Sequence, residues 1–466
     1  MMWRMIRLFF ILFATVKKGI ENRVCLYMEQ KYLFEENPNP NAKIAFVVWN
    51  ANDFYVYKDV YKHLPEAEIV VSDTFYSPIW QRGDEHITDL INLLKRHGVN
   101  WRVIRHLNLS DEKEKEIIEN FFAKYEIIVA LRLWTPLATA MFNSWLFKKK
   151  SVLMNYGAGK DIITFAPWVA HFNIVLSDGP REHHYFNLLS NSYIVGVPKY
   201  DNWFSQTIDS VKIEQIKNRL DPAKKTLLYL PTHSAFSSLY KFSDAVISLA
   251  DKYNILIKLH YLNSITEENI VKKFKEHKKI FLFDEKDDLL PLFCLADAVL
   301  SDSSSASLEA ILVDKPLVIL DTQEDEKNMT EEKEYNGLWY SSGQVYSKSI
   351  EQQIKKPEMA VGEVVKNPEE VGVAVARSFG AEPRFKENRK RLRDELFSYN
   401  DGKCGERAAG VIRKYLHGEI KPEPPMLGMA IRSYFSSQAK EYQLKLRKKE
   451  KEIEWLKEIA AGRKKI

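Results

Sequence analysis

Short apolar runs alternate with amphipathic stretches through the first half of the chain. The runs have the length and apolarity of buried strands, and they cover 44–49, 69–72, 101–105, 127–131, 152–155, 174–177 and 193–197. Helical patterns separate several of them, including 88–97 and 112–124. This alternation predicts βαβ units arranged around a parallel sheet.

A second series of apolar runs begins at Thr226, after the polar helical stretch 211–220 and Asp221-Pro222. Its predicted strands are 227–230, 255–259, 280–283, 298–300 and 317–320, and its predicted intervening helices include 242–253, 266–277 and 289–295. Further helices are expected at 384–398 and 405–417, and an acidic loop at 323–336. The pattern predicts an α/β protein with two Rossmann-like, doubly wound domains that face one another across a cleft.

The expected domain boundaries follow from these two series. We expect an N-terminal lead-in with a short helix over 1–40, a first domain over 41–210 and a second domain over 211–418. A linker with three prolines and a basic, amphipathic helical tail are expected over 419–466. The chain of 466 residues is too long for one core of ordinary size, which agrees with two domains.

The most informative stretch is 297–321, where the predicted strand 298–300 leads into five small polar residues and then a helix. The N–H groups at such a helix N-terminus suit a phosphate group, small side chains permit close approach, and serine hydroxyls add donors. Glu309 lies one turn into the helix, where a carboxylate can accept from a ribose or polyol. An ordinary Ser/Asp helix cap explains the stretch equally well.

Other polar residues also follow predicted strands, which is the edge where doubly wound sheets bind ligands. In the second domain they include Thr232-His233 after the first strand, Lys258 and His260 at the end of the second, and Asp284 and Asp321 after later ones. In the first domain, Asn155-Tyr156-Gly157-Ala158-Gly159-Lys160 and the segment 196–201 take this position. Strand alternation leaves open whether Lys258 points toward the neighbours of His260.

Charge is unevenly distributed along the chain. Residues 1–23 carry +4 and residues 432–466 carry +6, so the remaining body carries −5. An acidic body argues against nucleic-acid binding, and the basic ends favour an anionic membrane surface. Cys25, Cys294 and Cys404 lie far apart, which indicates neither a disulfide framework nor a zinc site and fits a reducing compartment.

The two ends each leave alternatives open. The apolar segment 8–16 is flanked by basic residues and is too short to span a membrane. We favour a membrane-surface helix there over a buried packing helix or a signal or anchor. In the tail, Tyr442, Leu446, Lys449, Ile453, Leu456 and Ala460 show heptad-like spacing. That helix is a candidate for self-association into a homo-oligomer or for contact with a membrane or the body.

Taken in order, the motifs of the second half resemble a known family. They are Pro231-Thr232, Lys258-x-His260, Asp287-x-x-Leu290, the stretch from Ala296-Asp297 through residues 301–305 (the serine turn), and Asp314-Lys315-Pro316. This order is similar to that of the CDP-glycerol glycerophosphotransferases, the teichoic-acid-type polymerases and primases of GT-B fold. Gly196-x-Pro198-x-x-Asp201 resembles that family's hinge element, and Asp401-Gly402-Lys403 with Arg407 resembles its closing segment. The resemblance covers roughly 150–415 and is good from 226 to 321.

The resemblance implies roles for individual residues on the donor side. The turn Ser301, Asp302, Ser303, Ser304 and Ser305 would hold the donor pyrophosphate, with Glu309 near the ribose or glycerol. His260 would stabilise charge developing on the phosphates, and Thr232 would line the nucleotide pocket. The chemistry of His260 agrees with this role, because an imidazole at a strand end that faces a phosphate-binding turn can donate a hydrogen bond to a leaving group. His233 and Lys258 join the donor candidates, although the family commonly has an aromatic followed by arginine at the position of His233.

The acceptor side departs from the family pattern. The family's histidine, which would be the general base, is replaced by Tyr156, and a tyrosine with an ordinary pKa near 10 is a poor base at neutral pH. Asp161 is a candidate for the catalytic role together with Tyr156, and His171, His183 and His184 are nearby. The stretch is not a P-loop, because Gly159-Lys160 is followed by Asp161. Gly157 and Gly159 are instead expected to form a tight turn that lets an acceptor phosphate meet Lys160, so all three are candidate acceptor-binding residues.

The resemblance implies a transferase that moves glycerol phosphate or a related polyol phosphate from a CDP-linked donor to a lipid-linked or glycan acceptor. We expect it on the cytoplasmic side, peripheral to the inner face of the cell membrane. The sequence leaves open a nucleotide-sugar glycosyltransferase on the same frame and a non-catalytic binding or scaffold protein. No Asp-x-Asp motif stands at a strand end, so we expect neither a metal nor a cofactor in donor binding.

Overall fold

The computed structural model describes residues 34–72, 83–104, 119–131, 149–155, 157, 167–233, 237–263, 267–322, 350–380, 383–434 and a few tail positions beyond. Within them two parallel β-sheets stand one after the other along the chain. The first sheet contains β1 (Ile44–Val48), β2 (Ala67–Ser72), β3 (Trp101–Ile104), β4 (Ile127–Ala130), β5 (Lys150–Met154), β6 (Ile174–Ser177) and β7 (Asn191–Ile194). The second contains β8 (Thr226–Leu230), β9 (Asn254–Lys258), β10 (Ile280–Phe283), β11 (Ala298–Ser301), β12 (Leu317–Leu320) and β13 (Glu363–Val365).

Both sheets are doubly wound. Their strand orders are β3-β2-β1-β4-β5-β6-β7 and β10-β9-β8-β11-β12-β13, and every pairing within them is parallel. The direction of winding therefore reverses between β1 and β4 in the first sheet, and between β8 and β11 in the second. Ligands in such sheets bind at the carboxyl ends of the strands beside this switch point. The second switch point brings Thr232 and the serine turn to one edge.

Helices cover both faces of each sheet. They are α1 (Ala51–Tyr61), α2 (Gly83–Arg96), α3 (Pro180–Leu189), α4 (Asp201–Phe204), α5 (Ser210–Lys217), α6 (Leu239–Ser248), α7 (Glu268–Glu276), α8 (Leu289–Leu295), α9 (Ser305–Leu312), α10 (Ile350–Gln353), α11 (Val371–Ser378), α12 (Pro383–Leu396) and α13 (Cys404–Leu416). Most strands are buried along their whole length, which explains why they read as unbroken apolar runs rather than alternating ones.

The α/β fold with two parallel, doubly wound sheets is confirmed, and the predicted strands recur with small shifts. The largest shift is at β7, which lies at Asn191–Ile194 rather than 193–197. Strand β13 was not predicted, because three residues are too short for a periodicity to show. The predicted helix 112–124 lies largely outside the described residues, as do the N-terminal segment and most of the tail heptads.

The last two helices pack on different sheets. Leu392 and Leu396 of α12 join the core of the second sheet, whereas Ala408 and Ile412 of α13 join the core of the first. Helix α13 lies so close to α1 that a side chain at Gly405 would meet the carbonyl of Asp59 at 2.1 Å. The chain therefore crosses twice between the two halves. The domain boundaries given above remain a prediction.

The two segments that cross between the halves, 196–201 and 398–405, contact one another at the predicted hinge element. Gly196 has φ +82°, and a Cβ there would lie 2.5 Å from both the Cys404 sulfur and the Ser398 carbonyl oxygen, so only glycine fits. The Asp201 carboxylate accepts the N–H groups of Cys404 and Gly405 at 2.8 and 2.7 Å. These bonds satisfy the first N–H groups of α13 and join the hinge to the closing segment.

Among the described residues, none of the helices combines the length and apolarity that crossing a membrane would require.

Candidate active site

The serine turn lies at the switch point of the second sheet, directly after β11 and before α9. The Ser304 hydroxyl caps this helix by accepting the N–H of Ala306 at 3.3 Å. Because α9 starts at the carboxyl edge of the sheet, its N-terminus lies where a nucleotide would bind. The helix dipole and the N–H groups of its first turn favour a phosphate there.

Two residues of the turn hold the loops rather than facing the cleft. The buried Asp302 carboxylate accepts the N–H of Thr232 at 3.0 Å and both the N–H and the hydroxyl of Ser238, at 2.9 and 2.6 Å. Ser301 is also buried, and its hydroxyl donates to the Leu230 carbonyl at 2.8 Å. Asp302 thus joins the loops that follow β8 and β11, and shapes the turn that the sequence assigned to phosphate binding.

The cleft side of the turn is formed by Ser303 and Ser305, which are both half-buried. Within the described part of the chain, the Ser305 hydroxyl has no hydrogen-bond partner. Gly157 of the first domain lies opposite, where a Cβ would be 3.4 Å from the Cβ and hydroxyl oxygen of Ser305. The predicted acceptor and donor segments therefore meet at this point across the cleft.

His260 and His233 stack on one another beside this turn. Their ring centroids are 4.3 Å apart, with 25° between the planes. The Nδ1 atom of His260 accepts the N–H of Leu262 at 3.2 Å, so in the neutral ring the proton is on Nε2. Nε2–H is thus the group of His260 that can donate to a phosphate oxygen.

Asn263 holds both histidine loops and was not identified from the sequence. Its side chain is fully buried, accepts the N–H of His260 at 2.7 Å and donates to the Thr232 carbonyl at 3.0 Å. It also donates to Glu267 at 2.9 Å. The only sequence signal was an asparagine three residues after a histidine at a strand end, which by itself indicates a turn.

Lys258 lies to the side of this group. Its ammonium donates to the carbonyl of Asp284 at 2.6 Å, which links the ends of β9 and β10. Burial lowers the pKa of Lys258, and the positive charge of Lys199 adds to the decrease. Its direct partner is therefore the neighbouring strand end, while the positive charge still contributes to the field of the donor site.

Glu309 has partners within the protein. Its Oε1 atom lies 2.8 Å from the Lys199 ammonium, and its Oε2 atom accepts the hydroxyl of Tyr200 at 2.8 Å. Burial and the carboxylate of Glu309 raise the pKa of Tyr200, which is therefore a neutral donor. Lys199 belongs to the hinge segment 196–201 and was not among the predicted site residues. Its signal was its place in the Gly-x-Pro-x-x-Asp motif.

The acceptor side is described in part. Tyr156, Gly159, Lys160 and Asp161 lie outside the described residues, so their roles remain predictions. Next to them, the Asn155 amide donates to the carboxylates of Asp178 and Glu182, at 3.0 and 2.8 Å. Both acids are buried, and burial together with the negative charges of Glu182 and Glu309 raises the pKa of Asp178 well above its ordinary value.

The three nearby histidines lie in different settings. His171 precedes β6 at the amino edge of the sheet, away from the cleft, and burial lowers its pKa to about 3. His183 and His184 lie in α3. Burial lowers the pKa of His183, and the adjacent His184 lowers it further. The ring of His183 contacts the side-chain amide of Asn187. Asp178, which directly follows β6, is closer to the cleft than any of these in the fold.

The two domains also touch beside the cleft, in one cluster of contacts. Trp49 after β1 packs edge-on against Tyr261 after β9, with ring centroids 5.4 Å apart. The Tyr55 hydroxyl donates to the Lys286 carbonyl at 2.7 Å, and His86 lies 3.2 Å from Glu285. In the part of the chain that the structure describes, no group of three or more His, Cys, Asp or Glu side chains is arranged to hold a metal ion.

Comparison with known proteins supports this arrangement. Residues 182–335, about a third of the chain, match the model of the family described as CDP-Glycerol:Poly(glycerophosphate) glycerophosphotransferase. The match confirms the resemblance that the motifs indicated, and supports a transferase that uses CDP-glycerol. The matched range contains the serine turn, His260 and Glu309. No curated protein matches the chain.

Solved structures share the fold. The wall teichoic acid polymerase TagF superposes with a TM-score of 0.53 at 15% identity, over 87% of this chain and 98% of that one. A UDP-N-acetylglucosamine 2-epimerase from Listeria monocytogenes gives a TM-score of 0.53 at 12% identity, over 83% and 100%. MnaA of S. aureus, solved with UDP, gives a TM-score of 0.51 at 13% identity, over 82% of this chain and 99% of that one. At these identities the likeness establishes the GT-B fold and leaves the reaction to the site.

Proposed function

We propose that this chain, in which residues 182–335 match the glycerophosphotransferase family, transfers a polyol phosphate from a CDP-linked donor to a hydroxyl of a lipid-linked or glycan acceptor. Glycerol phosphate is the expected group and cell-surface polymer synthesis the expected setting. The observation that carries the proposal is the serine turn, which begins α9 at the switch point of the second sheet and faces Gly157.

In this proposal the donor pyrophosphate lies at the N-terminus of α9, against Ser303, Ser304 and Ser305. The acceptor hydroxyl attacks the phosphorus that carries glycerol. The bond from that phosphorus to the bridging oxygen breaks, and CMP leaves with the oxygen. Nε2–H of His260 donates to the pyrophosphate and stabilises the charge that develops on the leaving group. His233 supports His260 by stacking, and Thr232 shapes the nucleotide pocket through its bond to Asp302.

The acceptor side of the proposal rests on the first domain. Gly157 lies opposite Ser305, and Gly159 and Lys160 are proposed to receive the acceptor phosphate, with Tyr156 and Asp161 close to the reacting hydroxyl. A CDP-linked donor and a glycan or lipid-linked acceptor both fit the matched family. We further propose that the basic ends place the protein on the cytoplasmic face of an anionic membrane, with the tail helix available for self-association.

The identity of the released nucleotide tests the proposal. The purified chain is incubated with CDP-glycerol, CDP-ribitol, UDP-glucose or UDP-N-acetylglucosamine, with octyl glycerol phosphate or octyl glucoside as acceptor, and the products are separated by ion-exchange chromatography. Release of CMP from a CDP-linked donor supports the proposal. Release of UDP would instead establish a nucleotide-sugar glycosyltransferase, and no release from any donor would establish a non-catalytic binding protein.

A further inference from the structure

A pair of buried carboxyl groups lies between the domains on the acceptor side. Asp178, directly after β6, is 6% exposed, and Glu182, in the first turn of α3, is 1% exposed. The Asn155 amide bridges their carboxylates, and the Asp178 N–H donates to Glu182 at 3.3 Å. Two carboxylates this close and this buried cannot both ionise readily, so the pair tends to share one proton.

Asp178 also lines a small cavity to which both domains contribute, with Glu309 on the donor side. The cavity has a volume of about 20 Å³ and is bordered by Gly157, Lys199 and Glu309. This space is close to what one water molecule or one hydroxyl group requires. Helix α9, which contributes Glu309, begins at the phosphate-binding turn, so a hydroxyl in the cavity would be near the proposed donor site.

We propose that Asp178 is the catalytic base that accepts the proton of the acceptor hydroxyl, and that Glu182 positions it. The inference rests on the transfer proposed above. The acceptor oxygen forms a bond to the phosphorus that carries glycerol, its proton passes to the Asp178 carboxylate, and CMP departs with the bridging oxygen. This assignment supplies the base that Tyr156, in the position of the family's histidine, is poorly suited to provide.

The electrostatic surroundings suit that role. The charged groups that face Asp178 are Glu182 on α3 and Glu309 on α9, and the charge of Glu309 is balanced by Lys199. Burial and the two acidic neighbours raise the pKa of Asp178, which makes its carboxylate a stronger base near neutral pH. Activity should therefore be lost as pH falls through that raised pKa.

The test measures CMP release from CDP-glycerol with octyl glycerol phosphate as acceptor, alongside CDP-glycerol binding by calorimetry. We expect Asp178→Asn to lower kcat by about 10²- to 10⁴-fold while the donor Kd stays within a factor of three or so. Glu182→Gln keeps the bridge to Asn155 and removes one negative charge. It should therefore shift the acidic limb of the pH–rate profile to lower pH by about one unit. Asp394→Asn, at an exposed ion pair on α12, is the matched control.

The outcomes separate this inference from the proposed function. Wild-type enzyme that releases no CMP overturns the proposed function and, with it, the inference. Active wild type with an equally active Asp178→Asn variant overturns the inference alone, as does an Asp178→Asn variant that loses donor binding along with turnover. If Asp178→Asn does not fold, the Glu182→Gln profile decides, and an acidic limb that stays in place excludes Asp178 as the base.

Discussion

Lys199 and Glu309 form an ion pair between the hinge segment 196–201 and helix α9, with the ammonium nitrogen 2.8 Å from one carboxylate oxygen and 3.1 Å from the other. The lysine side chain is 9% exposed and the glutamate side chain 16%. The pair therefore lies in a partly desolvated setting where an uncompensated charge is costly. It connects the crossing between the domains to the helix that begins at the serine turn.

Lys199→Met should destabilise the protein measurably. The variant leaves Glu309 with the Tyr200 hydroxyl but no cation, and we expect the free energy of unfolding to fall by about 1–3 kcal/mol in urea titrations. Lys43→Met is the control, because Lys43 pairs with Glu126 at an exposed site and should cost less than about 1 kcal/mol. Equal losses in the two variants would show that burial of the Lys199 pair has no energetic weight.

His260→Ala should lower turnover with the fold intact. Removal of the Nε2–H donor takes away stabilisation of the leaving phosphate, and we expect kcat for CMP release to fall by about 10²-fold or more. Circular dichroism and the thermal midpoint should stay close to those of the wild type. His417→Ala, which changes an exposed histidine at the end of α13, should retain activity. Wild-type turnover in His260→Ala would remove this residue from the mechanism.

Asp302→Asn should disturb the donor site through the loops that it holds. An amide places a donor where the carboxylate accepts bonds from Thr232 and Ser238, so we expect a loss of about 1–3 kcal/mol of stability. Donor affinity should fall as well, measured by calorimetry with CDP-glycerol. Asp244→Asn, at an exposed ion pair on α6, provides the comparison and should leave both quantities unchanged. Unaltered donor binding in Asp302→Asn would contradict the role of this carboxylate in shaping the turn.

Two glycine substitutions should act in opposite directions. Gly196→Ala forces a side chain into a left-handed backbone position and against Cys404 and Ser398, so it should destabilise by more than about 1 kcal/mol. Gly410→Ala lies inside α13, and in the described part of the chain no atom beyond its own helix backbone lies within 4 Å of the added carbon. This substitution should therefore stabilise by about 0.5–1 kcal/mol. Thermal unfolding of both variants checks the pair, and a stabilised Gly196→Ala would contradict the packing described for the hinge.

The basic ends should bind anionic vesicles together. Each basic residue near an anionic surface contributes about 1 kcal/mol at most, and two separate ends reinforce one another through effective concentration. Deletion of 1–33 or of 438–466 should weaken flotation with phosphatidylglycerol vesicles at low salt, and high salt should weaken that of the full chain. The second deletion starts after Arg432, which donates to the Phe172 carbonyl and belongs to the body.

Enzyme activity provides the control for these deletions. Turnover of the soluble acceptor octyl glycerol phosphate should survive both deletions, because the cleft lies within 41–418. Equal flotation of the truncated and full-length chains would instead indicate that the ends serve packing or self-association.

Much of the architecture follows from local sequence. Buried parallel strands are apolar along their whole length, so the runs 44–49 and 317–320 could be recognised without any knowledge of their partners. The serine turn could also be located, because five small polar residues between an apolar run and a helix mark a helix N-terminus, although a helix cap alone would give the same pattern. Gly196 was identifiable from its motif, and its positive φ is the physical reason for it.

The partners of polar side chains were decided by tertiary structure alone. Lys199 meets Glu309 across 110 positions of sequence, because the hinge segment lies against α9. Asp302 meets Thr232 across 70 positions, because the switch point of the second sheet brings their loops to one edge. Asn263 carries no motif, and its burial between two loops gives it its role. Asp178 likewise became a candidate base only when its burial beside Glu182 was known, because the pKa of a carboxyl group depends on its surroundings, which the chain's local pattern does not encode.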